Sequence, residues 1–135
     1  SADRLSTRRE VDCSVLDARV PLFLLQPLVE NAVEHGLRGE RAGLVTVRAA
    51  RHDQQLELSV SDDGAGIDGH GLVEGTGLRV TRERLRELYG REQSFAIDSC
   101  RGGGTTVRVT LPYRTVTTEA PAEPTTSRDI EHAAR

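Results

Sequence analysis

Lysine, methionine and tryptophan are all missing from this chain of 135 residues, and aromatic side chains make up only 3% of it. All 18 basic residues are therefore arginine. A Walker-type phosphate loop, a Schiff-base enzyme and the usual protein-kinase fold each need a lysine, so all three are excluded. Phosphate could be handled here only by arginine, backbone amides and metal. The missing methionine suggests a piece of a longer protein. The two cysteines, Cys13 and Cys100, lie far apart, fit no zinc spacing and do not make a disulfide scaffold. No apolar run approaches the roughly 20 residues of a membrane span, and no signal peptide leads the chain. The net charge of −3, with no basic run or interleaved aromatics, argues against a nucleic-acid surface.

What is present is globular: 36% hydrophobic and 29% charged, about one domain's worth. Arg8 to Val11 reads as a short strand. The segment DARVP turns into a helix that runs to His35, with Gly36 as its cap. Pro27 inside that run requires a kink or a late true start. Val45, Val47 and Ala49, then Leu56, Leu58 and Val60, alternate with polar residues, so they predict a hairpin turning at RHDQ. A glycine-dense loop follows. TGLRVTRERLRELYG is a second helix, with Leu78, Leu85 and Leu88 as its stripe and Gly90 as its end. SFAIDS and TTVRVTLP are two more strands around CRGGG. From Thr115 onward periodicity is lost, so residues 1–114 read as one domain and 115–135 as a disordered tail or linker. The order predicts an α+β two-layer sandwich, a mixed and mostly antiparallel sheet covered on one face by helices.

Three places could carry chemistry. In LQPLVENAVEHG, Leu25, Leu28, Val29, Ala32 and Val33 share one side, with Asn31 and His35 placed opposite and Glu30 and Glu34 flanking them. A solvated helix face explains this pattern too. Asparagine, however, is a poor helix former, and its amide oxygen suits a hard cation. In LSVSDDGAGIDG, Asp62 stands at a strand end, and Gly64 and Gly66 let backbone approach a flat ligand; a plain Asp-Gly turn is the alternative. The same stretch spells G-x-G-x-x-G, but no helix opens after the second glycine, so it is not a dinucleotide fingerprint. In EGTGLRVTRERL, Gly75 and Gly77 precede a helix whose free amides can meet an anion. Its arginines, interleaved with Glu83 and Glu87, read as a solvated, salt-bridged face.

Taken in order, these motifs and GGGTTVRVTLP resemble the GHKL (Bergerat) ATP-binding fold of sensor histidine kinases, gyrase-type topoisomerases, Hsp90-type chaperones and mismatch-repair MutL proteins. LLQPLVENAVEHG is similar to the N box of the LytS/YehU-type histidine-kinase catalytic domain, and GTGLRVTRERLRELYG to its G2 box and following helix. The resemblance covers roughly residues 5 to 113. It implies Mg²⁺-ATP as ligand, with Asn31 on Mg²⁺ and Asp62 on the adenine amine. Gly64, Gly66 and Ile67 would shape the floor, and Thr105 would support it. Gly75, Thr76, Gly77 and Leu78 would lie at the phosphates, and the loop from Asp68 to Glu74 would be a short ATP lid. His35 would lie near the phosphates, Glu30 would polarise the attacking group or a metal-bound water, and Arg79 would carry transferred charge. Two positions depart from the pattern. Val80 stands where Asn is often found, and Glu34 stands where Lys is often found among the ATP-site residues.

The resemblance further implies γ-phosphoryl donation to a histidine on a separate dimerisation domain, in a homodimer that signals to a response regulator. That acceptor motif is not in this chain. The chain is therefore expected to be a cytoplasmic domain of a bacterial sensor, attached to a membrane only through a region outside it. Two alternatives share the fold: a nucleotide-sensing module without catalysis, and a serine kinase of the anti-sigma-factor type.

Overall fold

The alternation of aliphatic and polar residues along the strands of the two hairpins gives the molecule its two unlike faces. The computed structural model describes residues 5–37, 43–64 and 76–115. Five strands form one sheet: β1 (Leu5–Val11), β2 (Gly43–His52), β3 (Gln55–Asp62), β4 (Ser94–Cys100) and β5 (Gly104–Pro112), in the spatial order β1-β2-β3-β5-β4. β1 runs parallel to β2, and every other pairing is antiparallel. The expected strand at Arg8 to Val11 thus begins three residues earlier, at Leu5. Its parallel pairing follows from the helix that intervenes before β2. The β2–β3 hairpin turns at Asp53 and Gln54, with Asp53 in the left-handed region at φ 56°.

Two helices, α1 (Leu25–Leu37) and α2 (Thr76–Tyr89), complete the described chain with two short 3-10 turns. α1 packs on β2, β3 and β5 and against α2. Between helices and sheet lies an aliphatic core: Leu24, Leu28 and Leu85 from the helical side, and Leu56, Leu58, Val60, Val109 and Leu111 from the strands, all almost completely buried. The other sheet face is polar. Arg48 pairs with Glu10 at 2.7 Å, Arg108 reaches Asp98 at 3.1 Å, and Ser61 bonds Thr106 at 2.9 Å. This is the two-layer α+β arrangement that the order of elements predicted.

Local details differ from the sequence reading. α1 starts at Leu25, the late true start that Pro27 left open, so Pro27 falls in its first turn, where a missing N–H costs nothing. Gly36 does not cap α1 but lies buried within its last turn, where a Cβ would sit 3.5 Å from Leu5 and 3.9 Å from Val45. Leu88 leaves the α2 stripe and is 46% exposed. Leu78, Thr81 and Leu85 form the buried row, with Tyr89 packed at its end, because seven residues return to one helix face and ten do not. Gly90, at φ 57°, ends α2 as expected. Thr115 forms a bridge with Ala18, so the folded unit includes it. The rest of the expected tail, 116–135, lies outside the described residues.

Candidate functional site

Asp62 is the last residue of β3 and points to the helix side of the sheet, in line with Val60 and Leu58. Its side chain is only 1% exposed. Oδ1 accepts a hydrogen bond from the Gly64 amide at 2.9 Å, and Oδ2 lies 3.7 Å from Nδ1 of His35. Burial raises the carboxyl above its ordinary value, and Asp63 adds to the rise. The Gly64 amide, the His35 ring and the Thr105 amide act in the opposite direction. A buried carboxylate held by main-chain donors, with Oδ2 beside the His35 ring, has the acceptor chemistry that a ligand's N–H requires.

Backbone fit around it is close. A Cβ on Gly64 would lie 2.7 Å from the His35 carbonyl oxygen and 3.0 Å from Asp62 Oδ1. Gly104, at φ 80°, sits directly on the Asp62 carbonyl, where a Cβ would lie 2.0 Å away. Asp62 pairs with Thr105 across β3 and β5. The Thr105 hydroxyl is buried and bonded to Ser99 at 2.9 Å, and Ser99 also donates to the Gly104 carbonyl at 3.3 Å. Asp63 is turned away: its Oδ1 accepts from the Leu44 amide at 2.8 Å and prolongs the β2–β3 pairing.

The structure corrects the placing of Asn31 and His35 on the side of α1 opposite the apolar stripe. At about 100° per residue both lie on a flank of that stripe, and both are half-buried. The outward face belongs to Gln26, Glu30 and Glu34, all exposed, with Glu30 accepting from Gln26 at 3.3 Å. His35, expected near the phosphates, instead meets Asp62; Asn31 lies one turn earlier, and Pro27 one turn before that. Pro27 in turn faces Gly77, whose Cβ position is 3.6 Å from the proline ring. One row on α1, about 12 Å long at 1.5 Å per residue, therefore leads from the Asp62 carboxylate to the first turn of α2.

In that first turn Gly77 is exposed and Thr81 Oγ1 donates to its carbonyl at 2.8 Å. Leu78 is buried, and Arg79 points outward with Val80. Helix α2 begins at Thr76. Gly66, Ile67 and Gly75 and the expected lid from Asp68 to Glu74 lie outside the described residues. Of the expected site residues, Asn31, His35, Asp62, Gly64 and Thr105 are brought to one end of the sheet. Glu30, Glu34 and Arg79 face solvent. Ser99 and Gly104 were not singled out in the sequence; the GGG run was their signal, since a tight glycine turn fixes which β4 residue faces Thr105. Nor are the α2 arginines simply a solvated face: Arg82 lies over the Phe95 ring at 4.9 Å and Arg84 over Phe23 at 5.4 Å.

Residues 17–115 match the family described as histidine kinase-, DNA gyrase B- and HSP90-like ATPase. The chain is 32% identical to the sensor protein LytS of Staphylococcus haemolyticus, over 84% of this chain and 22% of that protein. It is 31% identical to the sensor histidine kinase YesM of Bacillus subtilis, over 83% of this chain and 20% of the relative. The chain thus spans about a fifth of the length of these curated relatives. Among solved structures, the catalytic domain of histidine kinase ThkA superposes with a TM-score of 0.65 at 16% identity, covering 84% of this chain and 83% of that one. The histidine kinase domain of an Erythrobacter litoralis blue-light activated kinase gives 0.60 at 22%, covering 81% and 52%. These two likenesses concern the fold.

Proposed function

This chain belongs to the histidine kinase-, DNA gyrase B- and HSP90-like ATPase family, and from that premise we propose that it binds ATP along the α1 row and donates the γ-phosphoryl to a histidine on a separate helical domain. The observation that carries this reading is the buried Asp62 carboxylate, held by the Gly64 amide with its second oxygen beside the His35 ring of α1. An ionised carboxylate accepts from the exocyclic amine of adenine. From there the triphosphate runs past Asn31 toward Gly77, where the amides of the α2 N-terminus meet anionic oxygens.

Asn31 fits a role at Mg²⁺: a half-buried amide oxygen on the row between base and phosphate ends is a donor that a hard cation accepts. Among the described residues, no three His, Cys, Asp or Glu side chains form a metal cage, so phosphate oxygens and water would complete such a site. When bound, the ion neutralises phosphate charge. The chain's own contribution is to orient the nucleotide and present its terminal phosphate, which is positioning rather than covalent catalysis. Glu30 and Arg79, both exposed, act in this reading only when an acceptor domain closes over them. The same reading makes the chain the cytoplasmic catalytic domain of a dimeric sensor that signals to a response regulator.

A second reading, a nucleotide-sensing module without transfer, is favoured by Val80 and Glu34, which place an apolar and an acidic side chain where polar and positive help is expected. One experiment separates the readings: radiolabelled ATP, Mg²⁺ and the chain, mixed with a histidine-bearing helical domain from a LytS-type relative. Acid-labile label on the helical domain supports the kinase. Tight ATP binding with no transfer supports the sensing module, and acid-stable label supports a serine kinase.

A further inference from the structure

The two oxygens of Asp62 have unlike surroundings. Oδ1 is committed to the Gly64 amide at 2.9 Å. Oδ2 faces the His35 ring at 3.7 Å, which is ion-pair range but longer than a hydrogen bond. The carboxylate is 1% exposed and the ring 22%, so the ring can turn while the carboxylate stays buried. A carboxylate removed from water holds its charge only when donors surround it. The amides of Gly64 and Thr105 are fixed in the main chain, which leaves His35 as the side-chain donor. The ionisable groups acting on Asp62 are His35, which favours the charged form, and Asp63, which opposes it. The neighbours across β2 and β5, Val45 and Thr105, bring no charge. The His35 main chain is fixed beside the site, because its carbonyl oxygen is packed against Gly64.

We propose that His35 is a positioning residue for Asp62: its ring N–H closes on Oδ2 as a base enters, keeps the carboxylate ionised and turned to accept from an exocyclic amine, and so sets selectivity for a 6-amino over a 6-oxo purine. This rests on the nucleotide reading of the site. The chemistry is direct. An ionised carboxylate only accepts hydrogen bonds, whereas a protonated one also donates and suits a 6-oxo group. Loss of the His35 donor moves Asp62 toward the protonated form at any given pH, and discrimination falls with it.

The test measures ADP and IDP affinity over about three pH units, from roughly pH 5 to roughly pH 8, for the wild-type chain and for His35→Phe, His35→Ala and His35→Gln. Each is also made with Asp62→Asn. Carbon-13 NMR follows the Asp62 carboxyl without nucleotide. The two donor-less variants are expected to titrate Asp62 higher, to bind ADP about tenfold more weakly at the acid end, since one pKa unit is a factor of ten, and to lose much of the ADP-over-IDP ratio. His35→Gln, which keeps an N–H, recovers part of it. With Asp62→Asn the His35 substitutions have no further effect. Unchanged Asp62 titration and an unchanged ADP-over-IDP ratio in both donor-less variants overturn the proposal, as does an equal loss with Asp62→Asn present. ADP binding by the wild type that ignores His35 overturns this proposal alone. No ADP binding by the wild type overturns the nucleotide reading as well.

Discussion

Single residues set the site, and two of them trade stability for function. Because burial raises the Asp62 carboxyl above its ordinary value, the native fold binds that proton more tightly than the unfolded chain does. The stabilising contribution is complete below the ordinary carboxylate range and is lost as pH rises through the raised native value. At neutral pH the buried charge is therefore a cost to the nucleotide-free fold. Asp62→Asn, which keeps an acceptor for the Gly64 amide, should raise Tm at pH 7 while weakening ADP binding. The gain should vanish toward about pH 4; thermal unfolding at the two pH values checks it. Gly104 is constrained differently. Its φ of 80° and a Cβ position 2.0 Å from the Asp62 carbonyl leave no room for a side chain. Gly104→Ala should cost on the order of 2–4 kcal/mol and open the β3–β5 pairing beside the site, read by urea denaturation. Asp62 and Asn31 stand out in the sequence because a carboxylate before glycines and an asparagine inside a helix both go against local preference. The His35–Asp62 approach does not, since 27 positions separate the two residues and only the sheet brings them together.

At the scale of elements, α1 does two jobs with different faces. Leu28 and Ala32 hold it on the sheet, its flank carries Asn31 and His35, and its outward face carries Gln26, Glu30 and Glu34. Leu28→Ala should destabilise by about 2–5 kcal/mol, as fully buried leucines do, and should weaken nucleotide binding by letting the flank shift. Glu34→Ala, on the outward face, should change stability by less than about 0.5 kcal/mol. Denaturant midpoints for the two variants decide between a packing face and a solvent face. The strands were legible from alternation alone, because half-buried strands impose a period of two. The ends of α1 were harder to read. A proline can sit in a first turn or kink a helix, and a glycine can cap a helix or fill a tight place against a sheet; Pro27 took the first of its two expected outcomes, and Gly36 the one that local sequence does not select. Leu88 likewise left the α2 stripe because Tyr89 fills the position above Leu85.

At the scale of the whole molecule, the sheet order puts β3 at the centre, so the residue ending it is buried by neighbours on both sides while remaining next to α1. That topology turns an ordinary Asp-Gly turn into a buried carboxylate beside α1. The parallel pairing of β1 with β2 is a long-range feature, fixed by where α1 crosses the sheet, and the strand pattern of β1 alone is silent on it. The central claim is that this end of the sheet receives adenine nucleotide through Asp62. Titration calorimetry of Mg²⁺-ATP into the wild-type chain and into Asp62→Ala tests it most directly. The account predicts saturable binding by the wild type, weakened at least about a hundredfold in the variant, in keeping with removal of a hydrogen-bonded charged partner. Equal affinity for both, or no binding by the wild type, would contradict it.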